Sequence, residues 1–134
     1  MEYLVNKDFR WIATNKVNSK EENDKLIGNI TLNKINNVHR TAELGIMIGN
    51  KDYFSLGYGS DAIKLMLNYG FNYLNINNIM LKVFEFNKRA IRAYEKCGFK
   101  IFGVWENSYY FEGKYHNVIY MNILKDVFNK NSNI

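Results

Sequence analysis

A change in hydrophobic period between residues 41 and 86 constrains the fold of this chain more than any other feature. Thr41–Ile48 alternates apolar and polar side chains, which predicts a strand. Residues 60–74 follow a glycine-containing loop and carry an apolar stripe at helical spacing. Residues 79–86 form a mostly apolar run, which predicts a strand buried on both faces. Strand, helix and strand in this order predict a parallel strand pair.

The segments before this unit predict an antiparallel meander. Residues 9–16 and 26–35 alternate as Thr41–Ile48 does, and short polar connections separate the three strands. In the third strand the apolar side chains of Ala42 and Leu44 face one way and Glu43 faces the other. The fold class is therefore an α/β chain with a mixed sheet.

The segments after the unit predict a second helix and a closing hairpin. Asn87 is a good N-cap for a helix that reaches Cys97, and Gly98 has the position of a C′ glycine. Strands are predicted at 101–111 and 116–124 around a Glu-Gly turn. Residues after Asp126 are polar, and we expect them to be frayed.

Length and composition exclude several classes of protein. The 134 residues predict a single domain, 1–134, and a hydrophobic fraction of 47% argues against disorder. One cysteine excludes an intrachain disulfide framework, and no apolar run is long enough for a signal peptide or a membrane span, so we expect a cytoplasmic protein. The net charge of +5 permits a nucleic-acid partner, but the basic residues are scattered and favour a solvated surface.

The loop before the first helix suits an anion. It contains Leu56, Gly57, Tyr58, Gly59 and Ser60. Glycines allow a close backbone approach, and a helix start offers unpaired N–H groups and the positive end of its dipole. Taken alone, however, a G-x-G before a helix is more often a plain turn.

Together with residues 87–99, this loop resembles a known family. Those residues have the pattern N-x-x-A-x-x-x-Y-x-K-x-G-F, about thirty residues after the loop. The two segments in this order resemble the GNAT superfamily of acetyl-CoA-dependent N-acetyltransferases, in particular the branch that acetylates ribosomal-protein N-termini and polyamines. The resemblance covers about residues 9–124. It implies a meander, a β-loop-α-β-α unit and a closing β-hairpin.

The resemblance implies where acetyl-CoA binds. Backbone N–H groups of residues 56–60 would hold the pyrophosphate, although Phe54 stands where the family has Arg or Gln. The pantetheine arm would pair with the third strand, and the first turn of the second helix would contact the cofactor. The implied residues are Ile46, Met47, Ile48, Leu56, Gly57, Tyr58, Gly59, Ser60, Asn87 and Arg89, with Lys88 and Arg92 as further phosphate candidates.

The resemblance also implies two catalytic roles. Glu43 is the candidate general base, in a partly apolar cleft beside Gly45, and its alternative is an ordinary solvent-facing glutamate. Glu85 is a second acidic candidate and could instead bind a cationic acceptor. Tyr94 matches the general acid that protonates the leaving thiolate, and its alternative is core packing. The acceptor is then a protein N-terminus, a polyamine or another small amine.

Several residues are expected to have no part in the chemistry. Cys97 is predicted to be a buried structural thiol, and the isolated His39 and His116 do not predict a metal site. Tyr109, Tyr110 and Tyr115 either line the acceptor pocket or pack within the hairpin.

The resemblance begins at the family's second strand. The family's first strand and first two helices are therefore expected to be missing, which would leave residues 9–16 as an exposed sheet edge and favour a homodimer. The alternative to an active enzyme is a non-catalytic module or sensor that binds acetyl-CoA.

Overall fold

The computed structural model describes residues 2–4, 10–15, 25–48 and 58–132. These residues form one seven-stranded sheet with the strand order β1-β2-β3-β4-β5-β7-β6. The strands are β1 (Glu2–Leu4), β2 (Arg10–Asn15), β3 (Lys25–Asn36), β4 (Thr41–Ile48), β5 (Asn78–Phe84), β6 (Lys100–Phe111) and β7 (Lys114–Leu124). The helices are α1 (Tyr58–Asn68), which continues into a π-helical segment at Tyr69–Tyr73, α2 (Lys88–Lys96) and α3 (Lys125–Ser132).

The strand pairing confirms the predicted architecture. β2, β3 and β4 form an antiparallel meander, and β4 pairs with β5 in parallel across the α1 connection. β6 and β7 form the closing hairpin, with β7 inserted between β5 and β6. The change in hydrophobic period between residues 41 and 86 therefore corresponds to a crossover connection between β4 and β5.

One face of the sheet carries the hydrophobic core. Ile30, Leu32, Ala42 and Leu44 of the meander are buried against α1, whose own buried stripe includes Leu67. The apolar residues of α1 recur at helical spacing, so burying them on a sheet face removes them from water. The other two described helices also contribute to this core, α2 through Tyr94 and α3 through Phe128.

The prediction that residues 79–86 are buried on both faces is wrong. In β5, Ile79, Leu81 and Val83 are buried, whereas Met80 is half-buried and Lys82 is exposed. The strand alternates because helices cover one side of the sheet and no described helix covers the other. We call this second side the open face.

The prediction that residues 9–16 form an exposed sheet edge is also wrong in part. β1 pairs antiparallel with β2 through Glu2, Tyr3 and Leu4, so the strand before the meander is present and covers the first half of β2. β6 forms the opposite edge of the sheet. Phe9 and Lys16, the ends of the predicted strand, lie outside the described residues.

The C-terminal residues are not frayed as expected. Lys125–Ser132 forms α3, and Phe128 is buried with its ring centroid 5.5 Å from that of Phe71. Two adjacent apolar residues, Val127 and Phe128, in an otherwise polar segment gave too weak a periodic signal to predict the helix. The packing against the π-helical segment provides the stabilisation that the sequence pattern did not reveal.

A polar clamp fixes the start of β5 beside β4. The Arg40 carbonyl accepts hydrogen bonds from the N–H groups of Asn77 at 2.7 Å and Asn78 at 3.2 Å. The Arg40 guanidinium donates in return to the Asn75 carbonyl at 2.8 Å and to its side chain at 3.1 Å. These contacts determine where the parallel pairing begins, and thus where it can end.

Candidate functional site

β4 and β5 pair over a short distance and then separate. Their register contains three pairs, Thr41 with Asn78, Ala42 with Ile79 and Glu43 with Met80. Beyond Glu43, β4 continues to Ile48 bonded to β3 alone among the described strands. The backbone groups on the β5 side of this segment are therefore available to a ligand. The divergence opens a slot in the middle of the sheet.

Glu43 stands at the closed end of the slot, on the open face. Its carboxylate lies 3.3 Å from Lys34 Nζ and 3.7 Å from Lys82 Nζ, and its side chain is 20% exposed. The surroundings are thus polar and cationic rather than the partly apolar cleft that we expected. Two ammonium groups compete for the carboxylate oxygens with any water or amine that approaches.

The space beside Gly45 is already filled. A Cβ at Gly45 would lie 3.0 Å from Thr31 Oγ1, and Asn33 Nδ2 donates to that same hydroxyl at 3.0 Å. A larger residue at position 45 would press on the Thr31 side chain of β3. The space next to Glu43 is therefore occupied by Thr31 and Asn33 of β3 and is not an empty cleft.

Tyr94 lies on the opposite, helix-covered side of the sheet. It is 9% exposed, and its ring meets Phe99 edge to face with centroids 6.0 Å apart. Burial and the nearby Cys97 raise the pKa of Tyr94 to about 12, so the phenol keeps its proton. The part of the chain that the structure describes offers its hydroxyl no hydrogen-bond partner. A buried donor of this kind can donate to a ligand or to a water molecule.

Cys97 connects the second helix to the start of the first. The Ser60 hydroxyl donates a hydrogen bond to the Cys97 sulfur, and Lys64 and Asp61 of α1 lie close enough to influence the thiol. Burial raises the pKa of Cys97, the Ser60 and Lys64 contributions oppose this, and the net shift is upward. Cys97 is a buried, protonated thiol, as predicted.

The donor-site residues divide into described and undescribed positions. Tyr58 and Gly59 are the first residues of α1, so the helix begins two residues before the predicted Ser60. Leu56 and Gly57 lie outside the described residues. Asp61 in the first turn complements the helix dipole.

The third-strand candidates lie along the slot. Ile46 is partly buried against the core, and Met47 and Ile48 pair with Asn29 and Gly28 of β3. Their pairing with β3 leaves the slot side of the backbone open among the described strands. The structure therefore brings these three residues to the edge that the cofactor prediction requires.

Asn87 caps α2 as predicted. Its Oδ1 accepts a hydrogen bond from the Ala90 N–H at 3.2 Å. Lys88, Arg89 and Arg92 are exposed in the first turns of the same helix. Their cofactor contacts stay predictions.

Glu85 lies away from Glu43. Asn117 Nδ2 approaches both Glu85 oxygens at 3.3 Å, and the Glu85 N–H donates to the Asn117 carbonyl at 3.0 Å. Asn117 Oδ1 in turn accepts from the Asn107 N–H at 2.8 Å, at an irregularity in β6. This chain of bonds ties the end of β5 to the hairpin, a structural role that the sequence did not predict.

The hairpin tyrosines form two groups. Tyr109 packs on Phe84 with ring centroids 4.5 Å apart, whereas Tyr110 and Tyr115 pack on each other at 5.0 Å. Only Tyr109 therefore belongs to an aromatic group that includes a residue of β5. Within the described ranges, no group of three or more His, Cys, Asp or Glu side chains could hold a metal ion. No helix among these residues is long and apolar enough to span a membrane.

Sequence reasoning missed the cationic neighbours of Glu43. Lys82 lies two residues beyond Met80, the register partner of Glu43, so strand alternation puts it on the same face. That signal was available once β5 was treated as an alternating strand. Lys34 has no such signal, because it lies at an irregularity in β3 with a φ of 51°.

Comparison with known proteins gives a single family. A family profile described as "Acetyltransferase (GNAT) domain" matches residues 2–100. The spermidine N(1)-acetyltransferase of Escherichia coli strain K12 is 38% identical over 98 residues, which are 73% of this chain and 52% of that protein. The spermidine N(1)-acetyltransferase of Vibrio cholerae is 33% identical over 125 residues, which are 93% of this chain and 72% of that protein.

The solved structures agree in fold. The crystal structure of spermidine N-acetyltransferase from Vibrio cholerae in complex with CoA and spermine aligns with a TM-score of 0.78 at 32% identity. The alignment covers 92% of this chain and 69% of that one. This chain spans about half the length of the Escherichia coli relative.

Proposed function

The chain belongs to the GNAT acetyltransferase family, and from this premise we propose that it transfers the acetyl group of acetyl-CoA to a primary amine. The observation that carries the proposal is the divergence of β4 and β5 beyond Glu43 and Met80. Glu43 stands at the closed end of the slot on the open face, and the buried phenol of Tyr94 lies on the helix-covered side of the sheet. Direct transfer needs groups of these two kinds on either side of a thioester carbonyl.

The chain's own residues fit acetyl-CoA as the donor. The unpaired N–H groups at the start of α1, around Tyr58, Gly59 and Ser60, suit a pyrophosphate. The slot edge of β4 at Ile46–Ile48 suits an extended amide arm, and a backbone N–H there can stabilise the oxyanion. Asn87 Nδ2 and the cations of α2 extend the donor site. When bound, acetyl-CoA supplies the activated acetyl group.

Tyr94 acts as the acid by hydrogen bonding rather than by early proton release. Full proton transfer from a phenol with a pKa of about 12 to a thiolate of pKa ~8.5 is uphill by roughly 5 kcal/mol. The buried hydroxyl instead keeps its proton and donates a hydrogen bond that stabilises the negative charge developing on the sulfur, and solvent protonates the thiolate after it leaves.

Glu43 acts as the base, either directly or through water. Deprotonation of the amine requires one of the two ion pairs to open. The two pairs measure 3.3 Å to Lys34 and 3.7 Å to Lys82. Glu85 is the second candidate. It is hydrogen-bonded by Asn117 and lies beyond the end of β5, away from the β4–β5 pairing.

A thiol-release assay over a panel of primary amines tests the proposal. We expect acetyl-CoA to raise the melting temperature and the amines to accelerate release of free thiol. A ligand at 100 times its Kd stabilises by roughly 2.7 kcal/mol. If acetyl-CoA raises the melting temperature but no amine causes thiol release, the chain is a non-catalytic module that binds acetyl-CoA. If neither effect is seen, both the enzyme and the binding module are contradicted.

The proposed partners are small molecules and a second copy of the chain. We propose that the homodimer interface involves β6, an edge strand whose side chains are mostly exposed, and not β2. Light scattering tests it, and a clean monomer would exclude it. We place the reaction in the cytoplasm, where one free thiol is compatible with the reducing conditions.

A further inference from the structure

The open face of the sheet carries several lysine side chains, two of which flank Glu43. Strand register assigns Lys82 of β5, Lys100 of β6 and Lys114 of the hairpin to this face, and the Lys34 ammonium reaches it beside Glu43. Among the described, paired residues of β3 to β7 on this face, Glu43 is the single carboxylate.

The charge of Glu43 is already matched. Lys34 and Lys82 flank its carboxylate within 3.7 Å, so the three side chains together carry a net charge of +1. An amine that approaches Glu43 must displace one of these ammonium groups. A second or third positive charge on the same molecule would then lie within one Debye length, about 8 Å, of the displaced ammonium and be repelled by it.

An aromatic cluster follows directly along β5. Phe84 lies two residues beyond Lys82 on the same face, about 7 Å along the strand. Its ring stacks on Phe86 at 5.2 Å and contacts Tyr109 at 4.5 Å, and Phe86 packs against His116 at 4.9 Å. Phe86 and Tyr109 are exposed. The surface beyond the lysine can therefore bury an apolar group.

These observations rest on the proposed function and narrow its acceptor. We infer that the acceptor is a primary amine with a single positive charge and an apolar or aromatic body, and that Lys82 discriminates against polyamines. The amine lies at Glu43, and the body extends along β5 over Phe84 and Phe86. The selectivity arises from a repulsive charge as well as from the attractive surface.

The test compares acceptors of different charge. For the unaltered protein we expect kcat/KM at least ten times higher for 2-phenylethylamine than for spermidine at 0.15 M salt. A short peptide with a free N-terminus and an aromatic second residue shows whether the aromatic body can be carried by a protein. Lys82→Met should raise the ratio of spermidine to phenylethylamine kcat/KM at least fivefold.

A matched control isolates the position of the charge. Lys96→Met removes the same charge from an exposed position on α2, on the other side of the sheet, and should leave the ratio unchanged. Raising the salt concentration should improve spermidine turnover in the unaltered protein more than in Lys82→Met, because salt screens repulsion.

The outcomes separate the inference from the proposed function. A preference for spermidine in the unaltered protein, or an equal shift in the Lys82 and Lys96 variants, overturns the inference while acetyl transfer stands. If none of the amines causes release of free thiol, both the proposed function and the inference are wrong. Circular dichroism and a melting curve establish that each variant is folded.

Discussion

The rings of Tyr94 and Phe99 meet edge to face with centroids 6.0 Å apart, so the position of the phenol depends on its ring and not on a hydrogen bond. Tyr94→Phe should therefore keep the fold and the binding of acetyl-CoA. It should lower kcat by about 10²-fold or more, since a positioned acid contributes roughly 10² to 10⁴. Steady-state thiol release and the thermal shift by acetyl-CoA measure the two effects. Unchanged kcat would show that Tyr94 only packs in the core.

Alkaline stability provides a second test of Tyr94. Its pKa is about 12 in the folded protein and 10.0 for an ordinary tyrosine, so the folded state holds this proton more tightly. The resulting stability is complete below pH 10 and is lost as the pH rises towards 12. Between these values, the unfolding free energy should fall by up to about 3 kcal/mol more than in Tyr94→Phe, as measured by urea unfolding. Parallel curves would exclude the raised pKa.

Glu43 and Glu85 can be distinguished by paired amide substitutions. Glu43→Gln should lower kcat about 10²-fold, because the amide cannot accept a proton. Glu85→Gln retains an oxygen and an amide opposite Asn117 and should change kcat less than threefold, on the order of 0.5 kcal/mol. Reversal of the two results would assign the base to Glu85.

Gly98 should not tolerate a side chain. Its φ is +107°, and a Cβ there would lie 2.8 Å from Ile123 Cδ1. We expect Gly98→Ala to lower the unfolding free energy by about 1–3 kcal/mol. Gly103→Ala is the matched control, because nothing lies within 4 Å of a Cβ at that position. Equal stability of the two variants would contradict the described backbone at the end of α2.

Phe128 should anchor α3. Its ring is buried against Phe71, and truncation of a buried phenylalanine costs roughly 3–5 kcal/mol. We expect Phe128→Ala to cost about 3 kcal/mol in chemical unfolding, whereas Lys130→Ala, at an exposed position, should be nearly neutral. A neutral Phe128→Ala would support the frayed C-terminus that the sequence predicted.

Local patterns were sufficient for most of the elements. The alternation of Ala42, Glu43 and Leu44 predicted both the strand and the face that is buried, because the side-chain period of a strand is two. Asn87 and Gly98 marked the ends of α2, because capping is a local hydrogen-bonding requirement. The sequence did not predict α3 because its stabilisation comes from long-range contacts, which include the Phe71–Phe128 ring contact and the hydrogen bonds between Asn72 and Asn129.

The sequence by itself determined the order of the elements from β2 to β7 and the buried stripe of α1, and the family resemblance supplied the two catalytic candidates, Glu43 and Tyr94. Only the tertiary structure decided which groups surround them. Lys34 and Lys82 approach Glu43 from β3 and β5, on its two sides in the sheet, and the distances between them depend on strand register and on the irregularity at Lys34. Register and side-chain reach are set by packing between segments far apart in the chain, so no local pattern encodes them. Those same contacts decide the charge that an acceptor meets.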